Sequence, residues 1–391
     1  MHKFMGTKIG VEIEMHLIDK KFDISNNADE VIDSSINPLL EKEVSKSMIE
    51  VVMPPYNSIS SLENDLMIQL QNLKKEINDL ELGLLASTSI GIPKSEMTRI
   101  DSPKYDNKRI LFGNDFDISL QVCGTHVHVD LPKDQKERYN MYKLIQGLDP
   151  LFALMASSPF LYLKNTKKDH RVHSYRNILY EKFSRFGQLQ EYPLDEKEYS
   201  NINQKFFDGW KKELAKRNLD DSVYDLFDSN WGPIRIKENT IESRCADTNL
   251  PENILALACA YKGLYDLVDT ENLQVEISDK PSDFYMIRSE KLFVPSFTNL
   301  KKMERKGIVS AVKDEDLNNY LARALKLAAR NNDEETYLIP FFKMLKDKNT
   351  FADDIMKYAN SKNLVHNSKI EEEGARNIRA YIYNRFLESV N

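Results

Sequence analysis

Two short stretches of this sequence carry metal-binding types of side chain at a spacing of two residues. The stretch "GVEIE" supplies Glu12 and Glu14. The stretch "CGTHVHVD" supplies His126, His128 and Asp130. Because side chains alternate across a β-strand, each set shares one face of its strand and leaves the other face apolar. Such a face suits a hard cation or a phosphate, although two alternating acids are also common on a solvated sheet face.

Arginines join a carboxylate in the stretch "IRIKENTIESR". Its pattern predicts a β-hairpin with Arg235 on the first arm and with Glu242 and Arg244 on one face of the second arm. The planar guanidinium fork suits phosphate oxygens, which predicts an anion-binding surface. The alternative is that both arginines pair with the glutamate across the hairpin, which requires no ligand.

Three further stretches carry weaker signals. Glu50 is an acid within the otherwise apolar stretch "SMIEVVMPP", and Ser174 and Arg176 in "HSYRN" offer a hydroxyl and a cation. Ser157 and Ser158 in "MASSPF" lack the glycine-flanked turn of a nucleophilic serine, so this stretch is interpreted as the end of a helix.

Composition restricts the class of partner. The 391 residues include 61 acids and 54 lysines or arginines, for a net charge of -7, which argues against nucleic acid and against an anionic membrane surface. The three cysteines show no CxxC spacing, which favours a reducing compartment. Without an 18-residue apolar run or a signal-peptide pattern, the expectation is a soluble cytoplasmic protein that acts on small molecules.

Strands and helices are intermixed along the chain. Strands are predicted in "KIGVEIEMHLID", in "SMIEVVMPP" up to its two prolines, in "LGLLASTSIG", and in "ISLQVCGTHVHVDLP". A helix is predicted from Leu62 to Leu80, another starts in "LDPLF" with Asp149 as its cap, and a third contains "ILALACAYKGLYDLV". Residues 314–388 are predicted to be almost entirely helical.

This order of elements lacks both a regular alternation of strand and helix and a glycine-rich phosphate loop. It predicts an α+β fold with a largely antiparallel, curved sheet flanked by helices. We expect a core over residues 1–270 and a helical C-terminal part over residues 271–391, packed together as one domain.

Taken in order, six stretches resemble the carboxylate-amine ligases of the glutamate-cysteine ligase family, whose catalytic fold is glutamine-synthetase-like. These stretches are "GVEIEMHLID", "SMIEVVMPP", "CGTHVHVDLP", "LFALMASSPF", "HSYRN" and "NTIESRCADTNLP". The similarity covers residues 5–270, which would be the catalytic core. It implies an ATP-dependent enzyme in which a carboxylate becomes an acyl phosphate, and an amine then displaces phosphate to give an amide, ADP and phosphate.

The resemblance also implies roles for single residues. Glu12, His126 and Glu242 would hold the metal ion that bridges the ATP phosphates. Glu14 and Glu50 would hold a second ion nearer the substrate carboxylate. The ions would be Mg²⁺ or Mn²⁺, two or more in number.

Arginines would act beside these ions. Arg235 and Arg244 would contact the ATP phosphates and the transferring group, so that with Glu50 they form the catalytic set. Arg176, together with Ser174, would bind substrate. His128 would orient a metal ligand without binding the metal itself.

One departure from the family leaves the substrates open. The stretch "LYLKNTKKDHRVHSYR", residues 161–176, is lysine-rich and has no glycine where the family usually has one. The resemblance therefore predicts a small amino-acid or amine substrate without naming it, and glutamate-cysteine ligase making γ-glutamylcysteine is the first alternative. A homodimer is expected from the resemblance. An amidohydrolase-type metal hydrolase and a ligase-like binding protein without catalysis are the competing classes of protein.

Overall fold

The computed structural model describes residues 6–35, 37–87, 97–181, 183, 186–228 and 231–390. Within these residues the strands are β1 (Ile9–Asp19), β2 (Leu40–Lys42), β3 (Met48–Tyr56), β4 (Leu82–Leu85), β5 (Gly124–Asp130), β6 (Ile234–Ile236), β7 (Thr240–Asp247), β8 (Gln274–Ser278), β9 (Ile287–Arg288), β10 (Lys291–Pro295), β11 (Val365–His366) and β12 (Lys369–Ile370). The α-helices are α1 (Ala28–Ser34), α2 (Ile59–Asp79), α3 (Pro103–Phe112), α4 (Gln135–Gly147), α5 (His170–Ser174), α6 (Glu196–Ala215), α7 (Pro251–Thr270), α8 (Phe297–Ser310), α9 (Glu315–Ala328), α10 (Ile339–Asp347), α11 (Phe351–Ser361) and α12 (Glu372–Val390).

The largest sheet has seven antiparallel strands in the order β2-β3-β1-β5-β7-β6, and β4 also pairs with β1. Together with its helices it confirms the predicted α+β fold with an antiparallel sheet. The His-x-His stretch lies on β5 in the middle of this sheet. This position disagrees with an amidohydrolase, which requires the stretch at the end of the first strand of a barrel.

One face of this sheet is apolar and lies against helices. Val11, Ile13, Val127 and Val129 alternate along β1 and β5, and each is at most 1% exposed. Contacts with α2 and α7 cover the strands on this side. Burying such a side chain contributes roughly 1.5–3 kcal/mol, so the alternation fixes the register and leaves the intervening polar residues on the opposite face.

Two boundaries differ from the predicted strands. Pro54 and Pro55 were predicted to end a strand, but β3 continues through them to Tyr56. Both prolines are exposed, and the register of β1 against β3 shifts between Ile9 and Val11, so an irregularity in the ladder accommodates their missing N–H groups. The strand predicted over "ISLQVCGTHVHVDLP" begins only at Gly124, because a 3-10 helix and a turn precede it.

The remaining predictions for local structure have mixed outcomes. The predicted long helix is α2, whose buried residues recur at the expected spacing and whose N-cap Ser58 accepts a hydrogen bond from the Ser61 N–H. The prediction of Asp149 as a helix cap is wrong, because its side chain makes no cap hydrogen bond and pairs with Arg176 instead. Residues 88–91 of the predicted strand "LGLLASTSIG" lie outside the described residues.

Helices dominate the C-terminal part, as predicted. The helices α9 to α12 fill most of residues 314–388, and the two-stranded pair of β11 and β12 interrupts them. No helix among the described residues is long and apolar enough to cross a membrane.

Helix α7 lies at the centre of the packing between the two parts of the chain. Its first turn contains Pro251, and most of its residues are buried. It contacts the sheet on one side and α9 and α10 of the C-terminal part on the other. The predicted boundary at residue 270 coincides with the end of α7, and the packing of both parts as one domain stays a prediction.

The contact between α7 and α9 allows a test of that prediction. A Cβ atom on Gly263 would lie 2.3 Å from the Ala328 carbonyl oxygen, so we expect Gly263→Ala to lower the free energy of unfolding by about 1–3 kcal/mol. Denaturant unfolding followed by circular dichroism measures this loss. A single transition that moves as a whole indicates one domain, and two separated transitions contradict it.

The matched control is Gly209→Ala in the interior of α6. Its Cβ would lie 3.8 Å from the Phe186 ring, which is an ordinary contact. Alanine has the higher helix propensity, so this variant should gain about 0.5–1 kcal/mol of stability.

Candidate active site

The polar face of the sheet brings together acids and imidazoles from four strands. The register places Glu12 opposite His126, Glu14 opposite Glu50, and His128 opposite Glu242. Directly opposed residues of an antiparallel sheet share a face. Strands distant in sequence therefore present their polar side chains to one region.

Two overlapping groups of possible metal ligands result. In the first, one ligand atom from each of Glu12, His126 and Glu242 lies within 4.8 Å of the others. In the second, the same holds for Glu14, Glu50 and His126. His126 joins the two groups: its Nδ1 lies 2.8 Å from the Glu12 Oε2, and its Nε2 lies 3.4 Å from the Glu14 Oε1.

Burial and neighbouring charge shift the pKa values of these groups in different directions. Burial alone would raise the pKa of Glu12, but hydrogen bonds with His126 and His128 outweigh it and lower that pKa. Burial acts likewise on Glu242, and the charges of Arg244 and Arg235 lower its pKa to about 2.

Glu50 shows the opposite behaviour. Burial raises its pKa well above the ordinary range, and the charges of Glu43 and Glu12 add to that effect. Its Oε1 has no hydrogen-bond partner and is buried. An orphaned buried carboxylate oxygen is costly unless a proton or a cation meets it, so this donor set fits a divalent ion.

Both arginines of the hairpin pair with Glu242. Arg235 forms an ion pair with it across β6 and β7, and its Nη2 lies 3.2 Å from the Oε1. The Nε of Arg244 lies 3.3 Å from the same oxygen. The cross-hairpin pairing that the sequence allowed is thus present, and both guanidiniums also line the adjoining cavity.

This cavity has a volume of about 270 Å³ and opens beside Glu14, Arg235 and Arg244. Its other charged lining residues are Glu43, Lys104, Lys108 and Asp228. Aromatic side chains complete the wall, among them Tyr105, Phe112, Phe116, Tyr175, Tyr180, Phe227 and Trp231. Charged groups and rings thus enclose a space next to the acid cluster.

Glu43 is a site residue that the sequence prediction missed. Burial raises its pKa to about 8, and the charge of Glu14 contributes to the shift. Among the described residues no lysine or arginine forms an ion pair with it. The sequence shows Glu43 only as an acid seven positions before Glu50, in a loop where apolar and polar residues do not alternate.

Arg171 was also missed. Its side chain is 1% exposed, its Nη2 lies 3.3 Å from the His126 Nε2 and 3.7 Å from the Glu14 Oε2, and its guanidinium lies over the rings of Tyr175 and Trp231. The sequence shows it only as one cation within a lysine-rich stretch, so no pattern identified it.

Two predicted substrate-binding residues lie elsewhere. Arg176 is buried, and its Nη1 and Nη2 donate to Asp149 and to Glu304, because a buried guanidinium takes carboxylates as partners. Ser174 is fully buried, and its Oγ has no hydrogen-bond partner among the described residues. Neither residue lines the cavity.

The remaining polar residues of the original motifs have separate surroundings. The Nε2 of His128 lies 3.0 Å from the Glu12 Oε1, where it can orient that carboxylate. Asp130 instead accepts a hydrogen bond from the Lys8 N–H. Ser157 and Ser158 donate to a buried carboxylate, that of Asp247, rather than facing the cavity.

The arrangement of this sheet and its helices is that of known ligases. A crystal structure of glutamate–cysteine ligase from Francisella tularensis in complex with AMP matches with a TM-score of 0.63 at 12% identity, covering 99% of this chain and 89% of that one. A bifunctional glutathione synthetase from Pasteurella multocida matches with a TM-score of 0.58 at 10% identity, covering 98% and 53%. These likenesses show the fold.

The sequence adds the family. The family model described as glutamate-cysteine ligase family 2 matches residues 8–379, and the chain belongs to this family, as predicted. A relative from Rhodococcus jostii, provisionally named glutamate–cysteine ligase 2-1, is 28% identical over 184 residues, which are 46% of this chain and 48% of the relative. The chain spans about half the length of the curated relatives it matches first, or less.

The acid cluster predicts a loss of metal binding in charge-neutral variants. We expect Glu12→Gln and Glu242→Gln to weaken Mn²⁺ binding, measured by isothermal titration, by more than about 10-fold, since even changes behind a ligand cost roughly that much. Glu276→Gln on β8, away from the cavity, is the control and should bind as the unchanged protein does. Unaltered Mn²⁺ affinity in both site variants would contradict the assignment.

Glu43 predicts how the stability of the metal-free protein depends on pH. Its pKa is about 8 in the folded chain against an ordinary value of 4.5, so the unfolded chain releases this proton first as the pH rises. The free energy of unfolding should fall between about pH 5 and about pH 8, and Glu43→Gln should flatten that fall. Thermal melts in chelator at several pH values measure it; an equal slope in the variant would refute the prediction.

Proposed function

We propose that this chain is an ATP-dependent carboxylate-amine ligase that forms an amide through an acyl phosphate and releases ADP and phosphate. One observation carries the proposal: two overlapping ligand groups share His126 on a sheet face, and Arg235 and Arg244 border the same cavity. Phosphoryl transfer requires charge neutralisation and alignment more than a covalent nucleophile, and this face offers both.

The proposed cofactors are ATP and divalent ions, Mg²⁺ or Mn²⁺, two or more in number. Glu12, His126 and Glu242 would hold one ion, and Glu14 and Glu50 another. Glu43 fits the second group, because it lines the cavity beside Glu14 and its charge raises the pKa of Glu50. Neither Glu43 nor Glu50 forms an ion pair with a lysine or arginine among the described residues. Bound there, the ions would neutralise phosphate charge and polarise the transferring group.

The nucleotide phosphates, the carboxylate and the amine would meet beside Arg235 and Arg244. The cavity on the side of Glu14 would take the carboxylate and the amine, with the transferred phosphate at the two guanidiniums that line this cavity.

In this scheme the arginines act on the phosphates directly. The planar guanidiniums of Arg235 and Arg244 would donate to phosphate oxygens and stabilise the charge that spreads over the transferring group. Trp231 and Tyr175, which stack at 4.3 Å between ring centroids, would exclude water from the acyl phosphate. Glu50 would complete the catalytic set as the acid nearest the substrate carboxylate.

The substrate pair is an amino acid or another small carboxylate together with an amine. Glutamate and cysteine, giving γ-glutamylcysteine, are the first alternative, which the names of the relatives favour. We also propose a cytoplasmic location, which suits the three buried free cysteines. A homodimer, and the division into a core over residues 1–270 and a helical part over residues 271–391 within one domain, stay predictions.

An ADP-release assay with added hydroxylamine tests the proposal. Hydroxylamine traps an acyl phosphate as a hydroxamate, so the unchanged protein should give ADP, phosphate and hydroxamate from a panel of amino acids. Arg244→Ala should lower the kcat for ADP by about 100-fold or more. Arg305→Ala, at an exposed position of α8, is the matched control and should retain activity.

Two outcomes would reject the proposal. One is the absence of ADP with every carboxylate of the panel in the presence of Mg²⁺ or Mn²⁺. The other is hydrolysis of an amide without nucleotide, which would favour a metal hydrolase. Mass spectrometry of the product from each amine then identifies the substrate pair.

A further inference from the structure

A buried ion network lies behind the cavity wall and is centred on Arg176. The Arg176 Nη1 lies 2.6 Å from the Glu304 Oε2, and the Nη2 lies 2.6 Å from the Asp149 Oδ1. The guanidinium side chain and that of Asp149 are fully buried, and that of Glu304 is 3% exposed. One guanidinium thus bridges two carboxylates without solvent.

This network connects the C-terminal part with the rest of the chain. Glu304 belongs to α8, whereas Asp149 lies in the 3-10 helix after α4. The Lys301 Nζ lies 2.5 Å from the other oxygen of Glu304 and 2.7 Å from the Gln188 Oε1. The amide of Gln188 in turn donates to the backbone carbonyl of Arg176, so both the side chain and the backbone of Arg176 are held.

The segment that contains Arg176 also forms part of the cavity wall. Arg176 lies in a π-helical turn, Tyr175–Leu179, that directly follows α5. One turn earlier, Arg171 donates to the Arg244 carbonyl oxygen at 2.5 Å and approaches Glu14. Such turns are frequent at functional sites, and here Tyr175 and Leu179 of the turn line the cavity.

A second contact leads to the hairpin arginine. The Arg176 Nη2 donates to the Cys245 Sγ at 2.7 Å, and the Cys245 thiol donates to Asp149. Cys245 follows Arg244 directly on β7. The network therefore contacts the chain directly after Arg244, at Cys245, and five residues after Arg171, at Arg176.

Stability alone does not account for this arrangement. A buried ion network is weak support for stability, because its desolvation cost offsets the attraction of its charges. Its geometric effect is specific, since a bidentate guanidinium fixes both the distance and the orientation of its partners.

We propose that Glu304 is a positioning residue, which through Arg176 holds Arg171, Tyr175 and Arg244 in place at the cavity. The proposal deepens the proposed function and rests on it for the role of the cavity. It gives the C-terminal part a defined contribution to the site, and it gives the Ser-x-Arg stretch a positioning role in place of substrate contact.

Trp231 provides a reporter that does not depend on catalysis. The chain has two tryptophans, Trp210 and Trp231, so a Trp210→Phe background leaves Trp231 as the only tryptophan, which is excited selectively beyond the absorption of tyrosine. Its ring lies parallel to that of Tyr175, within 7°, and under Arg171. In this background Glu304→Gln should increase acrylamide quenching of Trp231 and move its emission to longer wavelength.

Kinetics provide the second readout. Glu304→Gln should lower the kcat for ADP formation by about 10- to 100-fold at a temperature where the protein stays folded, while Mn²⁺ affinity changes by less than about 2-fold. Arg176→Lys should likewise lower the kcat and leave the Mn²⁺ affinity nearly unchanged, because an ammonium keeps the positive charge but cannot make the two parallel hydrogen bonds of a guanidinium. Arg305→Gln on the same helix is the control and should leave both readouts unchanged.

The outcomes separate positioning from mere stability. A lower melting temperature with unchanged kcat and unchanged Trp231 quenching in both variants would overturn the proposal. If Glu304→Gln does not fold, Arg176→Lys alone decides in the same way. A chain that forms no ADP at all rejects the proposed function, and the quenching of Trp231 then still decides whether Glu304 positions the cavity wall.

Discussion

The concentration of carboxylates on one buried sheet face is the constraint on which the rest of the structure depends. Glu12, Glu14, Glu50 and Glu242 lie within 4 Å of the His126 imidazole, and Glu43 lines the adjoining cavity. Taking that many charges out of water is unfavourable without partners. Arg171, Arg235 and Arg244 compensate part of this charge. Glu43 and Glu50 form no ion pair with a lysine or arginine among the described residues, and burial raises the pKa of both carboxyls, which marks where a cation fits.

The sheet tolerates this charge because its two faces are separated strictly. Apolar residues at alternate positions of β1 and β5 lie against α2 and α7. Shifting β1 by one residue would place acids in that apolar layer, and shifting β5 would place imidazoles there. The hydrophobic face thus fixes the register, and the register in turn fixes which acid lies opposite which histidine. Packing on one side of the sheet therefore determines the chemistry on the other.

The elements that cover the polar face complete the site from distant parts of the chain. The segment with α5 brings Tyr175 to the cavity and Arg171 to Glu14. Helix α3 brings Lys104 and Lys108, and the residues before β6 bring Trp231. None of them belongs to the sheet. Because an ion network with α8 holds the α5 segment, the helical C-terminal part supports the site without lining it.

By itself the sequence determined the strands β1, β3, β5 and β7 and the long helices α2 and α7, since alternation with period two and helical spacing are local properties. It also singled out the seven residues that the structure brings together: Glu12, Glu14, Glu50, His126, Glu242, Arg235 and Arg244. The family followed from the same motifs. Only the tertiary structure decided that Glu43 and Arg171 join the site and that Arg176 lies behind it. Segments that are distant in the sequence form the surroundings of these residues, so no periodic pattern marks them. A buried arginine also looks the same in the sequence whether it contacts a ligand or two carboxylates.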